Sequence, residues 1–424
     1  MATSGPSSDL TDPGSPVGDT SSSEGPLSLA RDLLLCVALA VVPYLWRLAL
    51  GTRRFPNDDS WAYVRIMDEF HRSGGIELVD WNDITLVGML PVTELWVGVV
   101  GYGTLQVHLT GAVMGFVCLW ALRSVLRTFG CVRVPFVLTV FGTTMGFVAT
   151  TGTFMADLFA LAGSLVSFAI AARVVASRGQ RTLWLYGLIV LSSAAAVYAF
   201  TVRQQTVVAA GVVALVLLVA GRRVRFGWLV FGGLYSVAIL PFYVWRAGIE
   251  HGGSPILSID PRAIVAGTAV MVLMVSLALI PVIVASQGLL LQRAVAVRVV
   301  GSAAAAAVVV AYDPSGRIVD ALTIVYHAAA APPLVRAAAA VIVVNVLVTV
   351  GVALLAVRLP DVPLVRVTAA SAVLVLLADL VIAALGAGYY SRYSLFLLAL
   401  ALAVLSVDEG TSAAAISAHR TASW

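Results

Sequence analysis

The chain has 424 residues, of which 60% are hydrophobic and 11% are charged. A soluble globular domain carries roughly 25% charged residues, so this composition excludes a water-soluble domain and requires lipid as the solvent for much of the surface. The formal net charge of +4 and the lack of a basic patch interleaved with aromatic residues do not indicate a nucleic-acid partner.

The chain divides into a polar N-terminal segment, a long apolar region and a short tail. Residues 1–27 are rich in Ser, Gly, Pro and Asp, so they cannot bury enough apolar surface to offset the entropy of ordering, and we predict a disordered cytoplasmic segment. Residues 28–408 contain recurring apolar runs of about 17–25 residues, the length of a membrane-spanning helix. Residues 409–424 form a predicted short cytoplasmic tail.

The predicted fold is all-α, a polytopic transmembrane bundle of about 12 spans, because a helix satisfies its own backbone hydrogen bonds in lipid. The predicted spans are 29–50, 107–127, 133–151, 156–176, 182–200, 204–221, 226–246, 263–286, 291–311, 334–357, 366–387 and 390–407. Arginines in alternate loops, among them Arg123, Arg127 and Arg133, place both termini on the cytoplasmic side.

This orientation leaves three long segments on the outer side: 51–106, 247–262 and 312–333. In the first of them, apolar residues such as Trp61 and Phe70 recur at helical spacing. We therefore predict short interfacial helices in loop 51–106, lying at the membrane surface.

Loop 51–106 is also the most acidic part of the chain, and its core is the sequence FPNDDSWAYVR at 55–65. Adjacent carboxylates at Asp58 and Asp59 raise the pKa of one of them unless a cation compensates, which suits a general base near neutral pH. The alternative is that Asp58 is the N-cap of a helix that begins near Ser60.

Three further charged residues fall on the predicted outer side. Asp157 begins the fourth span and is either a site residue or an acid favoured by the helix dipole. Arg203 in VRQQT and Arg392 in YYSRYS oppose the positive-inside trend. A guanidinium can bind phosphate bidentately, although the tyrosines beside Arg392 also fit an interfacial aromatic belt.

Two other groups of residues are given no catalytic role. Asp379 lies mid-span, where an acid is costly, and we expect it to be protonated or paired within the bundle, far from the outer face. The three cysteines, Cys36, Cys118 and Cys131, lack CxxC spacing and are interpreted as packing residues, with no metal site.

Four of these segments, taken in order, resemble the GT-C superfamily of membrane glycosyltransferases, in the group of protein O-mannosyltransferases and the aminoarabinose transferase of lipid A. The segments are NDDSWAY, TGTFMADLFAL, VRQQT and YYSRYSLFLL. The outer segments 247–262 and 312–333 have no counterpart in this pattern.

The resemblance implies an inverting glycosyltransferase of the plasma membrane. It would move a sugar from a polyprenyl-phosphate donor to a hydroxyl of a glycan, lipid or protein acceptor on the outer face. Asp58 or Asp59 would be the general base, and Asp157 would position the acceptor or a metal ion. The residues implied at the lipid phosphate are Arg203, Gln204, Tyr390, Arg392 and Tyr393. Clustered carboxylates are compatible with a divalent metal ion, but no ligand spacing demands one.

A secondary transporter is the alternative function. Twelve spans with cytoplasmic termini are a common transporter layout, and transporter sites also use charge inside the membrane. The predicted position of most ionisable residues at the outer face, rather than at the midplane, favours the transferase.

Overall fold

The computed structural model describes residues 26–49, 58–76, 86–177, 180–247, 362–384 and 395–407, together with positions 275, 279 and 281. Every regular element in these ranges is helical, which confirms the all-α prediction for them. The helices are α1 (Pro26–Ala49), α2 (Asp58–Ser73), α3 (Met89–Val100), α4 (Thr104–Thr128), α5 (Val134–Gly142), α6 (Met145–Thr151), α7 (Ala156–Ala176), α8 (Thr182–Val202), a 3-10 turn (Gln204–Thr206), α9 (Val207–Ala220), α10 (Gly227–Ala247), α11 (Pro363–Ala384) and α12 (Leu395–Leu405).

Within the described part of the chain, five helices are long and apolar enough to cross a membrane by length and composition. They are α1, α4, α7, α8 and the stretch Gly227–Trp245 of α10. These helices support the prediction that the chain is a membrane protein. The predictions that lie outside the described ranges are the N-terminal segment up to residue 25, the outer segments 248–262 and 312–333, the spans 291–311 and 334–357, nearly all of 263–286, and the tail.

The predicted span 133–151 is wrong as a single helix, because the structure divides it into α5 and α6. Thr144 is extended, with φ −63° and ψ 144°. The hydroxyl of Thr143 donates to the carbonyl of Thr139 at 2.8 Å, and that of Thr144 donates to Phe141 at 2.7 Å. Hydroxyls that bind nearby carbonyls offer the backbone an alternative to continued helix, which hydropathy does not detect.

The prediction of helices in loop 51–106 is confirmed by α2 and α3. The described part of α2 starts at Asp58, so Asp58 is already helical and is not the N-cap of a helix that begins near Ser60.

Helix α4 fixes the turn that leads into α7. Gly111 and Gly115 lie one turn apart on α4, the small-residue spacing that lets backbones approach closely in membranes. A Cβ atom at Gly111 would lie only 2.3 Å from the carbonyl oxygen of Thr153. The backbone N–H of Phe154 donates to Nδ1 of buried His108 at 3.1 Å. The α4 surface therefore sets where α7 begins.

We expect Gly111→Ala to lower the free energy of unfolding by about 1–3 kcal/mol, because the added methyl group meets backbone that has to shift. Unfolding in mixed detergent micelles measures this. Gly187→Ala on α8 is the matched control, since a Cβ atom there meets nothing within 4 Å. Equal stability of the two variants would show that α4 does not pack tightly against the turn that precedes α7.

Helix α7 runs through the middle of the bundle, and most of its residues are buried. It packs on α8 through small polar residues. The hydroxyls of Ser167 and Ser192 lie 3.0 Å apart, and Ser192 also donates to the carbonyl of Ser167 at 2.8 Å. Such hydrogen bonds across small residues are a common means of helix association in lipid.

A buried charge cluster joins α1 to α4. Asp32 is fully buried, and its Oδ2 accepts from Nε of Arg123 at 3.0 Å and from Nη2 of Arg127 at 2.7 Å. The interpretation of these arginines as inner-loop charges is wrong, because both lie within α4 and Arg123 is buried. A buried charge needs a partner, and Asp32 provides it for both.

Candidate functional site

A pocket lies where α7, α9, α11 and the 3-10 turn meet, and three charged residues line it. Asp157 comes from α7, Arg203 from the end of α8 and Asp379 from α11. The other lining residues are Ala160, Leu161, Ser164, Gln205, Thr206, Val208, Ala209, Val375 and Phe396. The pocket has a volume of about 80 Å³, which has room for several water molecules.

Asp157 and Arg203 form a buried ion pair in this pocket. A guanidinium nitrogen of Arg203 contacts Oδ1 of Asp157, and the two side chains are 9% and 4% exposed. Nε of Arg203 also donates to Oε1 of Gln205 at 3.3 Å. The structure thus brings together an acidic and a basic side chain that we predicted to lie at the same level of the membrane.

Local backbone structure explains the position of both partners. Asp157 is the second residue of α7, at the positive end of the helix dipole, and it contacts Arg203. Helix α8 ends at Val202, and Arg203 is extended, with φ −153° and ψ 116°, before the 3-10 turn starts. The position in the first turn agrees with the dipole interpretation of Asp157, and its role in a site stays a prediction.

Asp379 is the functional candidate that sequence reasoning missed. It is 7% exposed, and its Oδ2 has no hydrogen-bond partner among the residues that the structure describes. Asp379 lines one pocket with Asp157, which the sequence did not predict. The expectation that Asp379 lies far from the outer face stays a prediction. Acidic residues are rare inside membrane helices, and this rarity was the sequence signal for a role of Asp379. The length of the apolar run, however, did not show how deep in the bundle Asp379 lies.

The remaining predicted site residues are placed as follows. Gln204 does not line the pocket, whereas its neighbour Gln205 does. Tyr390, Arg392 and Tyr393 lie outside the described residues. Asp58 and Asp59 are described by their backbone alone, at the start of α2.

Helix α2 shares one apolar cluster with the two segments that carry the ion pair. The buried residues of α2 belong to this cluster together with residues just before Asp157 and just before Arg203. Its members from α2 and from these two segments are Tyr63, Ile66, Met67, Phe154, Met155, Ala156 and Val202. The helix that begins with Asp58 and Asp59 therefore belongs to the same apolar cluster as the chain segments that lead into the pocket residues.

The other end of α2 is attached to α3 and α4. Nδ1 of His71 lies 3.0 Å from both carboxylate oxygens of Glu94, and its ring stacks on Tyr102 at 3.9 Å. The hydroxyl of Tyr102 donates to the carboxylate of Asp68. Burial, together with the nearby Asp68 carboxylate, raises the pKa of Tyr102, so this hydroxyl remains a donor at neutral pH.

Comparison of the chain with models of protein families, with curated proteins and with solved structures finds no match.

The chemistry of the pocket follows from its residues. It combines one guanidinium and two carboxylates within largely apolar walls, where electrostatic interactions are stronger than in water. Within the described ranges, no three His, Cys, Asp or Glu side chains are grouped to hold a metal ion. The compatibility of the acidic first loop with a divalent metal ion is not tested, because the side chains of Asp58 and Asp59 lie outside the described residues.

Proposed function

We propose that this chain is an integral membrane glycosyltransferase, built as a GT-C-like bundle of about 12 spans. It moves a sugar from a polyprenyl-phosphate donor to an acceptor hydroxyl on the outer face of the cell membrane. The apolar cluster that α2 shares with the residues before Asp157 and Arg203 is the observation that supports this most directly. A base on α2 and a buried guanidinium are the two groups that such a transfer needs.

In the proposed reaction, Asp58 or Asp59 takes the proton from the acceptor hydroxyl. The acceptor oxygen then forms a bond to the anomeric carbon while the bond from that carbon to the phosphate oxygen breaks. The electron pair leaves on the lipid phosphate, and the configuration of the sugar inverts. Asp157 orients the acceptor.

Stabilisation of the leaving phosphate is assigned to the arginines. A fixed guanidinium in a buried site stabilises developing negative charge without reorganisation. Arg203 is held by Asp157 and Gln205 at the pocket, and Gln205 takes the place expected for Gln204 there. Arg392, with Tyr390 and Tyr393, completes the phosphate site in this proposal.

The direct test is transfer by the purified full chain in lipid nanodiscs. Polyprenyl phosphates carrying labelled mannose, glucose or arabinose are supplied with a membrane extract as the source of acceptors. We expect label to enter a product while one polyprenyl phosphate is released per sugar transferred. Nanodiscs without protein are the control. No release of polyprenyl phosphate from any donor would contradict the proposal.

A secondary transporter is the second candidate, and Asp379 is the observation that favours it. A buried acid in a pocket among apolar helices fits the charged sites of transporters. Proteoliposomes distinguish the two functions. A transporter accumulates an intact sugar compound inside the vesicle, whereas the transferase breaks the bond between sugar and phosphate.

A further inference from the structure

We propose that Asp379 and Ser164 form a hydroxyl-binding end of the pocket that they line together with Arg203. The sugar hydroxyls of the donor bind at Asp379 and Ser164, and the lipid phosphate binds at Arg203. The choice of a sugar as ligand rests on the proposed function, whereas the need for a ligand with hydrogen-bond donors comes from the pocket itself.

The first argument is the hydrogen-bonding capacity of this end of the pocket. The hydroxyl of Ser164 donates to the carbonyl of Ala160 at 2.9 Å, so it offers acceptor lone pairs to the cavity. The carboxyl group of Asp379 offers acceptor lone pairs in either protonation state. Its Oδ2 has no hydrogen-bond partner in the part of the chain that the structure describes. A pocket wall that presents hydrogen-bond acceptors is complementary to a ligand that carries hydrogen-bond donors.

The second argument is charge. Arg203 is the basic residue in the described lining of the pocket, so a phosphate is placed at its guanidinium. At Asp379 an anionic phosphate would meet a carboxyl group that carries a like charge when it is ionised, which is unfavourable in a buried site. Neutral hydroxyl groups form hydrogen bonds with this carboxyl group in either protonation state without adding charge, and they are what a sugar provides.

The third argument is burial. Asp379 is 7% exposed and Ser164 is 4% exposed, so bulk water does not compete strongly for either side chain. A buried acceptor that loses its ligand donor is costly, and sites built this way reject ligands that lack the donor. The hydroxyl-binding end therefore discriminates between a sugar-bearing lipid and the same lipid without its sugar.

The test measures binding, so that its outcome is independent of transfer. The full chain in nanodiscs is titrated with decaprenyl phosphate and with decaprenyl phosphate bearing mannose, glucose or arabinose. Asp379→Asn is compared with Ser371→Ala, a control on the same helix. Ser371 is fully buried, its hydroxyl has no partner among the described residues, and it does not line the pocket.

We expect Asp379→Asn to weaken binding of the best sugar-bearing lipid roughly 10- to 100-fold, the range for a lost hydrogen bond to a charged group. Affinity for sugar-free decaprenyl phosphate should stay within about 2-fold of the parent, which also shows that the variant is folded. Ser371→Ala should bind both lipids like the parent. The inference is overturned if Asp379→Asn keeps the parent affinity, or if both lipids weaken equally.

A second pair of variants covers the case in which Asp379→Asn does not fold. Ser164→Ala should weaken only the sugar-bearing lipid, by roughly 2- to 10-fold for a neutral hydrogen bond. Ser167→Ala, one turn further along α7, should not change either affinity. A parent that binds no sugar-bearing lipid more tightly than decaprenyl phosphate overturns the inference. Selective binding without any transfer contradicts the proposed function and leaves the hydroxyl-binding end standing.

Discussion

Replacing the acids at the start of α2 is expected to remove most of the sugar transfer. One of the two residues, Asp58 or Asp59, is the proposed base. Substituting that residue with Asn should lower the transfer rate roughly 10²- to 10⁴-fold, the contribution of a general base. An amide has nearly the same shape as a carboxylate but cannot take up the proton of the acceptor hydroxyl. The rate of label transfer from the polyprenyl-phosphate donor measures the loss.

The fold of α2 should survive these substitutions, which makes the rate loss interpretable. The helix is held by Tyr63 and Met67 in the apolar cluster and by His71 at its other end. Loss of a carboxylate from the first turn costs only about 0.3–1 kcal/mol through the helix dipole.

Glu69→Gln is the matched control on the same helix. Glu69 pairs with Arg72 at 2.8 Å on the surface, and such exposed pairs contribute little to stability. We expect this variant to transfer sugar at the parent rate. If both aspartate variants also keep the parent rate, the assignment of the base to this turn is wrong.

Breaking the Asp157–Arg203 pair is expected to have the largest effect on stability. Asp157→Asn and Arg203→Gln should each lower the free energy of unfolding by about 3–5 kcal/mol, because each leaves the other charge buried without its counter-ion. Both residues are over nine-tenths buried, so water cannot replace the lost partner. Unfolding in mixed micelles measures each variant.

The double variant Asp157→Asn with Arg203→Gln separates the structural role from the functional one. Removing both charges should recover most of the stability, since neither member of the pair is then left as a buried charge without the other. Transfer should stay lost, because the groups proposed to orient the acceptor and stabilise the phosphate are both absent.

The exposed pair of Glu69 and Arg72 provides the control cycle. Its single and double variants should be additive and change stability by less than about 1 kcal/mol. Additive losses in the Asp157–Arg203 cycle would show that these two side chains are not coupled. Recovery of transfer in the double variant would show that neither charge acts on the substrate.

Some features of the site could be read from local sequence because they depend on local rules. An acid at the start of an apolar run predicts the first turn of a membrane helix, and Asp157 occupies that position in α7. Arg203 follows the apolar run of α8, so its place at the helix end was also predictable. Their meeting in one ion pair depends on α7 and α8 packing side by side.

Other features could not be read in this way because they depend on distant chain segments. The burial of Arg123 follows from Asp32, which lies 91 residues earlier in the chain on another helix. The place of Asp379 at the pocket follows from the packing of α11 against other helices, and a hydrophobic run does not define its own depth or rotation.

By itself, the sequence determined that the described part of the chain is helical and suited to lipid, and where most of the described helices run. The physical reason is that an isolated segment in hydrocarbon must satisfy its backbone as a helix of a fixed minimum length. The tertiary structure alone decided which charged residues meet, because the neighbours of each helix set its rotation and depth. Those neighbours brought Asp379 to the pocket of Asp157 and Arg203, where no local pattern placed it.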